Sequence, residues 1–262
     1  MRRARVLTFA NQKGGVGKTT TAINLASAVA QLGYKVLVVD SDPQGNASSG
    51  LGVNVAEMGH HLYHCYMNEA AVGEAIRQVG ESGNLYVLPT HIDLIGVEVE
   101  LVATVKRERF LSELLEPLLG SYDFVFIDCP PSLGLLTINA LTASDAVIIP
   151  LQCEYFALEG LSQLVRTIRL VKNSYNATLA IEGIVLTMYD RRNRLTHQVA
   201  REVKQHFKKE VFETVIPRNV RLSECPSHGL SIHAYDPRSV GALSYLNLGK
   251  EFIQNQKVKG VL

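Results

Sequence analysis

The sequence predicts an α/β fold in which a doubly wound, mostly parallel sheet is flanked by helices. Three observations lead to this prediction: short apolar runs recur along the chain, helix-length segments separate them, and a glycine-rich turn joins the first run to a helix. Uninterrupted apolar runs are typical of parallel strands that are covered on both faces. Their alternation with helices favours a doubly wound sheet over a sandwich or a bundle.

The elements follow in order. The first strand is predicted at residues 6–9 and the first helix at residues 19–32, where apolar residues recur at helical spacing and Gly33 ends the helix. The second strand lies within residues 35–40. Later strands are predicted at residues 85–88, 124–127, 146–149 and 184–187. No repeat, linker or low-complexity tract divides the chain, so we expect a single domain over residues 1–262.

Composition limits the classes of function. Lys and Arg number 26 against 25 Asp and Glu, so net charge indicates neither a nucleic-acid nor a membrane partner, and any such surface must be local. The apolar stretch after the basic residues 1–5 is too short for a signal peptide, and no span of about 20 unbroken apolar residues occurs. The cysteines lack a C-x-x-C pair, which predicts reduced thiols in a cytoplasmic protein: Cys65, Cys129, Cys153 and Cys225.

The turn after the first strand has the composition of a phosphate-binding loop. Its glycines allow backbone N–H groups to converge on phosphate oxygens, and the following helix adds its positive end. The pattern G-x-x-x-x-G-K-[ST] is not fully met, because Gln12 occupies its first glycine position and a second lysine follows. The predicted nucleotide-binding residues are Lys13, Gly14, Gly15, Val16, Gly17, Lys18, Thr19 and Thr20.

The K-G-G-x-G-K-T-T loop resembles the deviant Walker A motif of the ParA/MinD/nitrogenase iron protein superfamily. The resemblance implies ATP and Mg²⁺ as ligands, with Lys18 on the phosphates and the Thr19 hydroxyl on Mg²⁺. It also implies that Lys13 reaches across a dimer interface to the partner subunit's phosphates, which would couple ATP binding to dimerisation. The alternative for Lys13 is an ordinary surface lysine.

Carboxylates follow two of the predicted strands and meet at the edge of the sheet beside the phosphate loop. Asp40 and Asp42 end the second strand, and Asp128 ends the apolar run Phe-Val-Phe-Ile as in a Walker B strand. By family resemblance, Asp42 orients or activates the attacking water and Asp40 lies nearer the Mg²⁺ shell, whereas a turn-forming role remains the alternative for Asp40. Asp42 and Asp128 are therefore candidate Mg²⁺ ligands with Thr19. Residues 129–134 resemble the family's switch II loop.

Residues later in the chain acquire roles only through the resemblance. Adenine selection falls to Met188, Pro217 and Asn219, which follow late strands. Residues 190–221 include nine basic and four acidic residues. A helix predicted over residues 196–209 would place Arg201, Lys204 and Lys208 on its solvent-exposed face. A solvated polar face is the alternative explanation. In ParA-type proteins this side binds DNA without sequence preference, and the matching positions are Arg192 and Arg221.

One histidine-rich stretch has the composition of a metal site. It contains His60, His61, His64 and Cys65, with His60 and His64 spaced to share a helix face. No carboxylate or further thiol stands at ligand spacing, so the sequence favours a helix packed over the sheet.

The resemblance covers nearly the whole chain and is closest to the short chromosomal Soj branch, without an N-terminal helix-turn-helix domain. It implies a cytoplasmic, nucleoid-associated ATPase, weak alone, that forms a homodimer with ATP, binds non-specific double-stranded DNA, and is stimulated by a ParB-type protein in chromosome or plasmid partitioning. A MinD-like ATPase at the membrane surface is the alternative, although no basic amphipathic helix is evident at the carboxyl end and no stable membrane association is expected. A small-molecule enzyme or an iron–sulfur reductase is a third class, and the reductase would need a cysteine pair.

Overall fold

The computed structural model describes residues 3–262, so Met1 and Arg2 of the basic amino-terminal segment lie outside the described residues. Within that range the strands β1 to β7 are Arg5–Phe9, Val36–Asp40, Arg77–Val79, Leu85–Leu88, Phe124–Asp128, Ala146–Gln152 and Ala180–Thr187. They form one sheet in the order β3–β4–β2–β5–β1–β6–β7. Every pairing is parallel except that of β3 with β4. The predicted doubly wound sheet is confirmed.

Helices connect the strands and cover both faces. The α-helices α1 to α12 are Lys18–Gln31, Asn46–Gly50, Leu62–Tyr66, Val72–Ala75, Ile95–Glu100, Phe110–Leu115, Leu135–Ala143, Ala157–Ser174, Arg194–Phe207, Val220–Glu224, Ile232–Tyr235 and Val240–Val258. Short 3-10 turns lie at Val55–Glu57, Ile92–Leu94, Arg107–Arg109, Glu116–Leu118, Lys208–Glu210 and Cys225–His228.

The six predicted strands are present, and their ends differ by a few residues. β6 continues past its predicted end through Pro150, whose missing N–H is tolerated because β1 pairs only with residues 146–148 of that strand. The sequence did not predict β3, because Arg77 and Gln78 are exposed and give the strand no apolar run. Because β3 lies at the edge of the sheet with exposed residues, it lacks the uninterrupted apolar run from which the other strands were predicted.

Alternate residues of the central strands enter two different cores, as the period of two requires. Phe9, Val38 and Phe126 face α1 and α12 on one side of the sheet. Val39 and Ile127 face α3, α6 and α7 on the other side. A third cluster joins β6 and β7 to α8 and α9. Strands with two buried faces explain why the sequence shows unbroken apolar runs rather than alternation.

The carboxyl-terminal helix α12 packs on the body of the protein. Phe252 and Ile253 are buried, whereas Leu243 is 52% exposed. Polar residues at the end of this helix contact the buried Glu182: Gln256 is fully buried and donates to Glu182 Oε1 at 2.7 Å, and Lys259 pairs with the same carboxylate at 2.8 Å. Among residues 3–262 no helix is long and apolar enough to cross a membrane.

Candidate nucleotide-binding site

The loop between β1 and α1 lies at the carboxyl edge of the sheet. Gly15 and Gly17 have φ values of 74° and 87°, the left-handed region that glycine adopts without strain. Gly17 caps α1, and no side chain bonds to the first-turn N–H groups of this helix. Uncapped N–H groups at a helix start attract anions, and the helix dipole adds to that attraction. The loop has the backbone geometry of a phosphate cradle.

Lys18 lies in the floor of this loop. Its side chain is buried, and Nζ donates to the Lys13 carbonyl oxygen at 3.3 Å. Burial lowers the pKa of Lys18, while Asp128, Cys129 and Asp42 oppose that shift. An anion bound in the loop would stabilise the charged ammonium further.

The side chain of Lys13 turns away from this loop. It is half-exposed and forms an ion pair with Glu154, which follows β6. Its backbone is fixed, because the Lys13 N–H donates to Asn11 Oδ1 at 3.0 Å and Asn11 in turn donates to the buried Pro150 carbonyl at 2.8 Å. Within the described residues, Lys13 does not line the cavity at the phosphate loop. The first lysine of the motif thus points outward while the second points inward.

Two aspartates are neighbours across the centre of the sheet. The β2–β5 register pairs Asp40 with Asp128, and both are fully buried. Asp40 Oδ2 accepts hydrogen bonds from the Ser48 N–H and hydroxyl, each at 2.7 Å. Burial raises the pKa of Asp40 to about 6, and the bonds from Ser48 oppose the rise. Because Ser48 engages this carboxylate, Asp40 is a structural support of the following turn in the described structure.

Asp128 has no such support. Both of its carboxylate oxygens are buried without a hydrogen bond of good geometry in residues 3–262. Burial raises the pKa of Asp128 well above its ordinary value, Asp40 raises it further, and the Thr19 side chain opposes the rise. Unpaired buried carboxylate oxygens are costly unless a cation neutralises them. Together with the Thr19 hydroxyl, they offer the oxygen ligands that Mg²⁺ prefers.

Asp42 lies on the turn that leaves β2. Its Oδ1 accepts from the Gln44 N–H at 3.0 Å, so this carboxylate also shapes the turn. The side chain lines a cavity of about 450 Å³ with residues of the phosphate loop, Gln44 and Pro131 of the switch II segment. The structure thus brings Lys18, Thr19 and Asp42 around one cavity.

The residues assigned to adenine line an adjoining cavity of about 270 Å³. Met188, Pro217 and Asn219 meet there, and the two cavities share Gly17, Thr20 and Met188. The loops are held together because the Tyr189 N–H donates to the Ile216 carbonyl at 2.9 Å. Asn219 Oδ1 is buried without a hydrogen-bond partner in the described chain, so a residue that lines this cavity has an unsatisfied acceptor. An exocyclic amine of adenine carries the donor that such an acceptor lacks.

The residues assigned to DNA binding lie outside both cavities. The Arg192 side chain is 93% exposed and lies 3.5 Å from Asp190. Arg221 projects from α10 and pairs with Glu224 at 2.9 Å and Asp236 at 3.5 Å. On α9, Val199 and Val203 are buried while Arg201 and Lys204 are exposed. The helix ends at Phe207 rather than at residue 209, so the exposed Lys208 lies in the 3-10 turn that follows. Lys204 pairs with Glu213 at 2.8 Å.

Sequence reasoning missed Glu154 and Ser48. The signal for Glu154 was its place two residues after β6, since the ends of parallel strands gather ligands and their partners. Ser48 carried no signal, because serines are common in turns and only the fold places its hydroxyl under Asp40.

The comparisons with known proteins agree with this geometry. The sequence profile of the family described as AAA domain matches residues 4–181. The sporulation initiation inhibitor protein Soj of Bacillus subtilis is 55% identical over 96% of this chain and 99% of its own. The chromosome partitioning protein ParA of Myxococcus xanthus is 53% identical over 97% of this chain and 90% of its own. The crystal structure of a cobyrinic acid a,c-diamide synthase from Mycobacterium smegmatis with bound ATP analogue and magnesium is 35% identical, with a TM-score of 0.85 over 98% of this chain and 97% of that one.

Proposed function

Because the chain belongs to the Soj and ParA family of chromosome-partitioning ATPases, we propose that it partitions DNA through an ATP-dependent cycle of dimerisation and DNA binding. The observation that carries this proposal is the outward-facing Lys13 beside a complete phosphate loop with the inward-facing Lys18. The cycle would be carried out by a single ATPase domain over residues 1–262 in a cytoplasmic, nucleoid-associated protein.

We assign ATP to the two adjoining cavities, with the phosphates at residues 14–20 and the adenine at Met188, Pro217 and Asn219. Lys13 would reach the phosphates bound by the other subunit. Thr19, Asp42 and Asp128 would hold Mg²⁺ directly or through water, and the unpaired Asp128 oxygens support this assignment. When bound, Mg²⁺ neutralises charge on the phosphate oxygens. Lys18 adds a fixed cation, and Asp42 orients the attacking water. The products are ADP and phosphate.

The adenine assignment gives a first prediction. Replacing Asn219 by alanine removes an acceptor for the adenine amine, and a hydrogen bond of this kind contributes about 0.5–1.5 kcal/mol. We expect the dissociation constant for ATP to rise by up to about tenfold, measured by titration with a fluorescent analogue. Selectivity for ATP over GTP should fall in parallel. Unchanged affinity and selectivity would contradict the role of Asn219, and Asn193→Ala on the exposed α9 cap serves as the control.

Dimerisation is proposed from the position of Lys13. Its ion pair with Glu154 is half-exposed, and pairs of this kind contribute about 1 kcal/mol or less. Breaking the ion pair with Glu154 therefore costs little free energy. The contact that Lys13 gains with a partner's phosphate favours association of two subunits with ATP between them. The exposed pair Tyr155 and Phe156 follows Glu154 directly and would be covered in the same event.

DNA binding is proposed through Arg192, Arg221 and the basic face of α9. Exposed ion pairs contribute little, so Arg221 can exchange Glu224 for a phosphate. Helix α10 also contributes Leu222 and Ser223 to the adenine cavity, so nucleotide and DNA would act on one short helix. A ParB-type partner would then stimulate hydrolysis and release the dimer from DNA.

Charge reversal tests this surface. Arg192→Glu and Arg221→Glu should each weaken ATP-dependent binding to double-stranded DNA and lower the salt slope by roughly one per lost phosphate contact. The measurement is a fluorescence-anisotropy titration at several salt concentrations. Arg77→Glu, on β3 at the opposite edge of the sheet, provides a matched control. Binding that stays unchanged and salt-resistant in both variants would contradict the proposed face.

The competing functions have less support. A MinD-like role needs an amphipathic helix that is free to bind a membrane, whereas the end of α12 is tethered through Gln256 and Lys259 to Glu182. A small-molecule synthase is favoured only by the relative at 35% identity, against 55% for Soj. The iron–sulfur reductase needs accessible cysteines, and all four are free thiols buried in the protein. Liposome flotation and iron content would test the first and last of these.

A further inference from the structure

Two segments that are distant in sequence bring histidines and a carboxylate together beside α3. His61 directly precedes that helix, and His91 and Asp93 follow β4. One ligand atom from each of these three residues lies within 4.8 Å of the others. Asp93 is 32 residues from His61 in the sequence, so only the fold brings the two together. The predicted helix packed over the sheet is present as α3, but it begins at Leu62, so His60 precedes it and does not share a helix face with His64.

His61 is a buried imidazole without a full set of partners. Its residue is 5% exposed, and Nδ1 makes no hydrogen bond to any described residue. A buried polar atom without a partner is unfavourable, because folding removes its hydrogen bond to water. The rings of His64 and His91 lie beside it, with centroids 4.1 and 5.3 Å away.

His91 and Asp93 are also arranged to bind a cation. His91 Nδ1 lies 2.8 Å from Asp93 Oδ2 and 3.5 Å from the Asp93 amide nitrogen. A protonated Nδ1 donates to this carboxylate oxygen, and a metal ion at this point would displace that proton and be held by the same two atoms. Both side chains are about half-exposed, so the point is open to solvent.

We propose that His61, His91 and Asp93 form a binding site for a transition-metal ion of the Zn²⁺ type. Two imidazoles and one carboxylate match the nitrogen and oxygen ligands of Zn²⁺, and an open fourth position accommodates water. Mg²⁺ is disfavoured, because it prefers oxygen ligands in octahedral geometry. The site is therefore chemically distinct from the cation site at Thr19 and Asp128.

The ion would fasten the loop after β4 to the segment before α3. These segments already meet where the Leu62 N–H donates to the Pro89 carbonyl at 2.9 Å. The next residue, Thr90, donates its N–H to Ser48 Oγ at 3.1 Å, and Ser48 holds Asp40. A metal ion bound here would stabilise the contacts of Ser48 with Thr90 and with Asp40, which precedes the Asp42 turn, without contacting the nucleotide. The metal site does not depend on the proposed function.

The experiment uses the full-length, untagged protein, stripped of metal with a chelator. Zn²⁺ is titrated calorimetrically in the presence of excess Mg²⁺, and Co²⁺ serves as a spectroscopic substitute. We expect one equivalent of Zn²⁺, visible Co²⁺ absorption bands of a low-coordinate nitrogen and oxygen site, and a melting temperature that rises with Zn²⁺ concentration.

Variants at the half-exposed ligands keep the test independent of folding. His91→Ala and Asp93→Asn should weaken Zn²⁺ binding by more than the roughly 10–100-fold that loss of an outer-shell partner costs. His197→Ala removes an exposed histidine outside the cluster and should bind Zn²⁺ as the parent protein does. Absence of stoichiometric Zn²⁺ binding, or equal affinity in His91→Ala, Asp93→Asn and the parent, would overturn the proposal.

Discussion

Replacing Asp42 by alanine is expected to lower the rate of ATP hydrolysis by about 10²–10⁴-fold while leaving ATP binding intact. This range corresponds to a barrier about 3–5.5 kcal/mol higher. The reason is positional: Asp42 lines the cavity at the phosphate loop on the turn after β2, whereas Lys18 and the loop glycines, which we assign to phosphate, remain in place. The variant should accumulate as an ATP-bound dimer, detected by light scattering beside a phosphate-release assay.

A second substitution separates the chemistry of Asp42 from its structural role. The carboxylate accepts a hydrogen bond from the Gln44 N–H, so alanine also removes a turn contact. Asp42→Asn keeps an acceptor for that bond and loses the negative charge. If both variants hydrolyse ATP slowly and both dimerise, the charge orients the water. Normal hydrolysis by Asp42→Ala would refute the proposed role.

Replacing Lys13 by alanine is expected to abolish ATP-dependent dimerisation and the partner-stimulated rate. Cationic groups supplied in trans to phosphoryl transfer raise rates by roughly 10³–10⁵-fold. A lysine lacks the bidentate fork of arginine, so we expect a loss near 10³-fold. ATP binding by the monomer should remain, because Lys13 does not line the phosphate cavity among residues 3–262. Sedimentation velocity with and without ATP measures the dimer.

Glu154→Gln is the matched control for this prediction. It removes the same ion pair but keeps the Lys13 amine, which then has no acidic partner among residues 3–262 of its own subunit. We expect dimerisation at equal or lower ATP concentration, with a change of at most about fivefold, since exposed ion pairs contribute ~1 kcal/mol or less. If Glu154→Gln lost dimerisation as Lys13→Ala does, the ion pair itself would be the required element. The swap of Lys13 to a partner's phosphate would then be wrong.

The sequence was sufficient where chemistry is local. The phosphate loop lies in eight consecutive residues, and the flanking strand and helix could be identified from uninterrupted and helically spaced apolar residues. The ends of β2 and β5 could be predicted equally well, because a carboxylate follows each apolar run. The cavity assigned to adenine could not be predicted from residue types. Met188 and Asn219 are 31 positions apart, and only family resemblance joined them before the structure placed both on one cavity.

The sequence by itself determined six of the seven strands, the phosphate loop and the acidic strand ends, since each depends on neighbours within one strand or one turn. The tertiary structure alone decided the contacts between distant segments: Ser48 under Asp40, Glu154 on Lys13, and Asp93 beside His61. The physical reason is that parallel strands bring the ends of distant segments to one edge of the sheet, where polar groups meet according to strand order. Hydrophobic periodicity predicts where the strands are but not their order in the sheet.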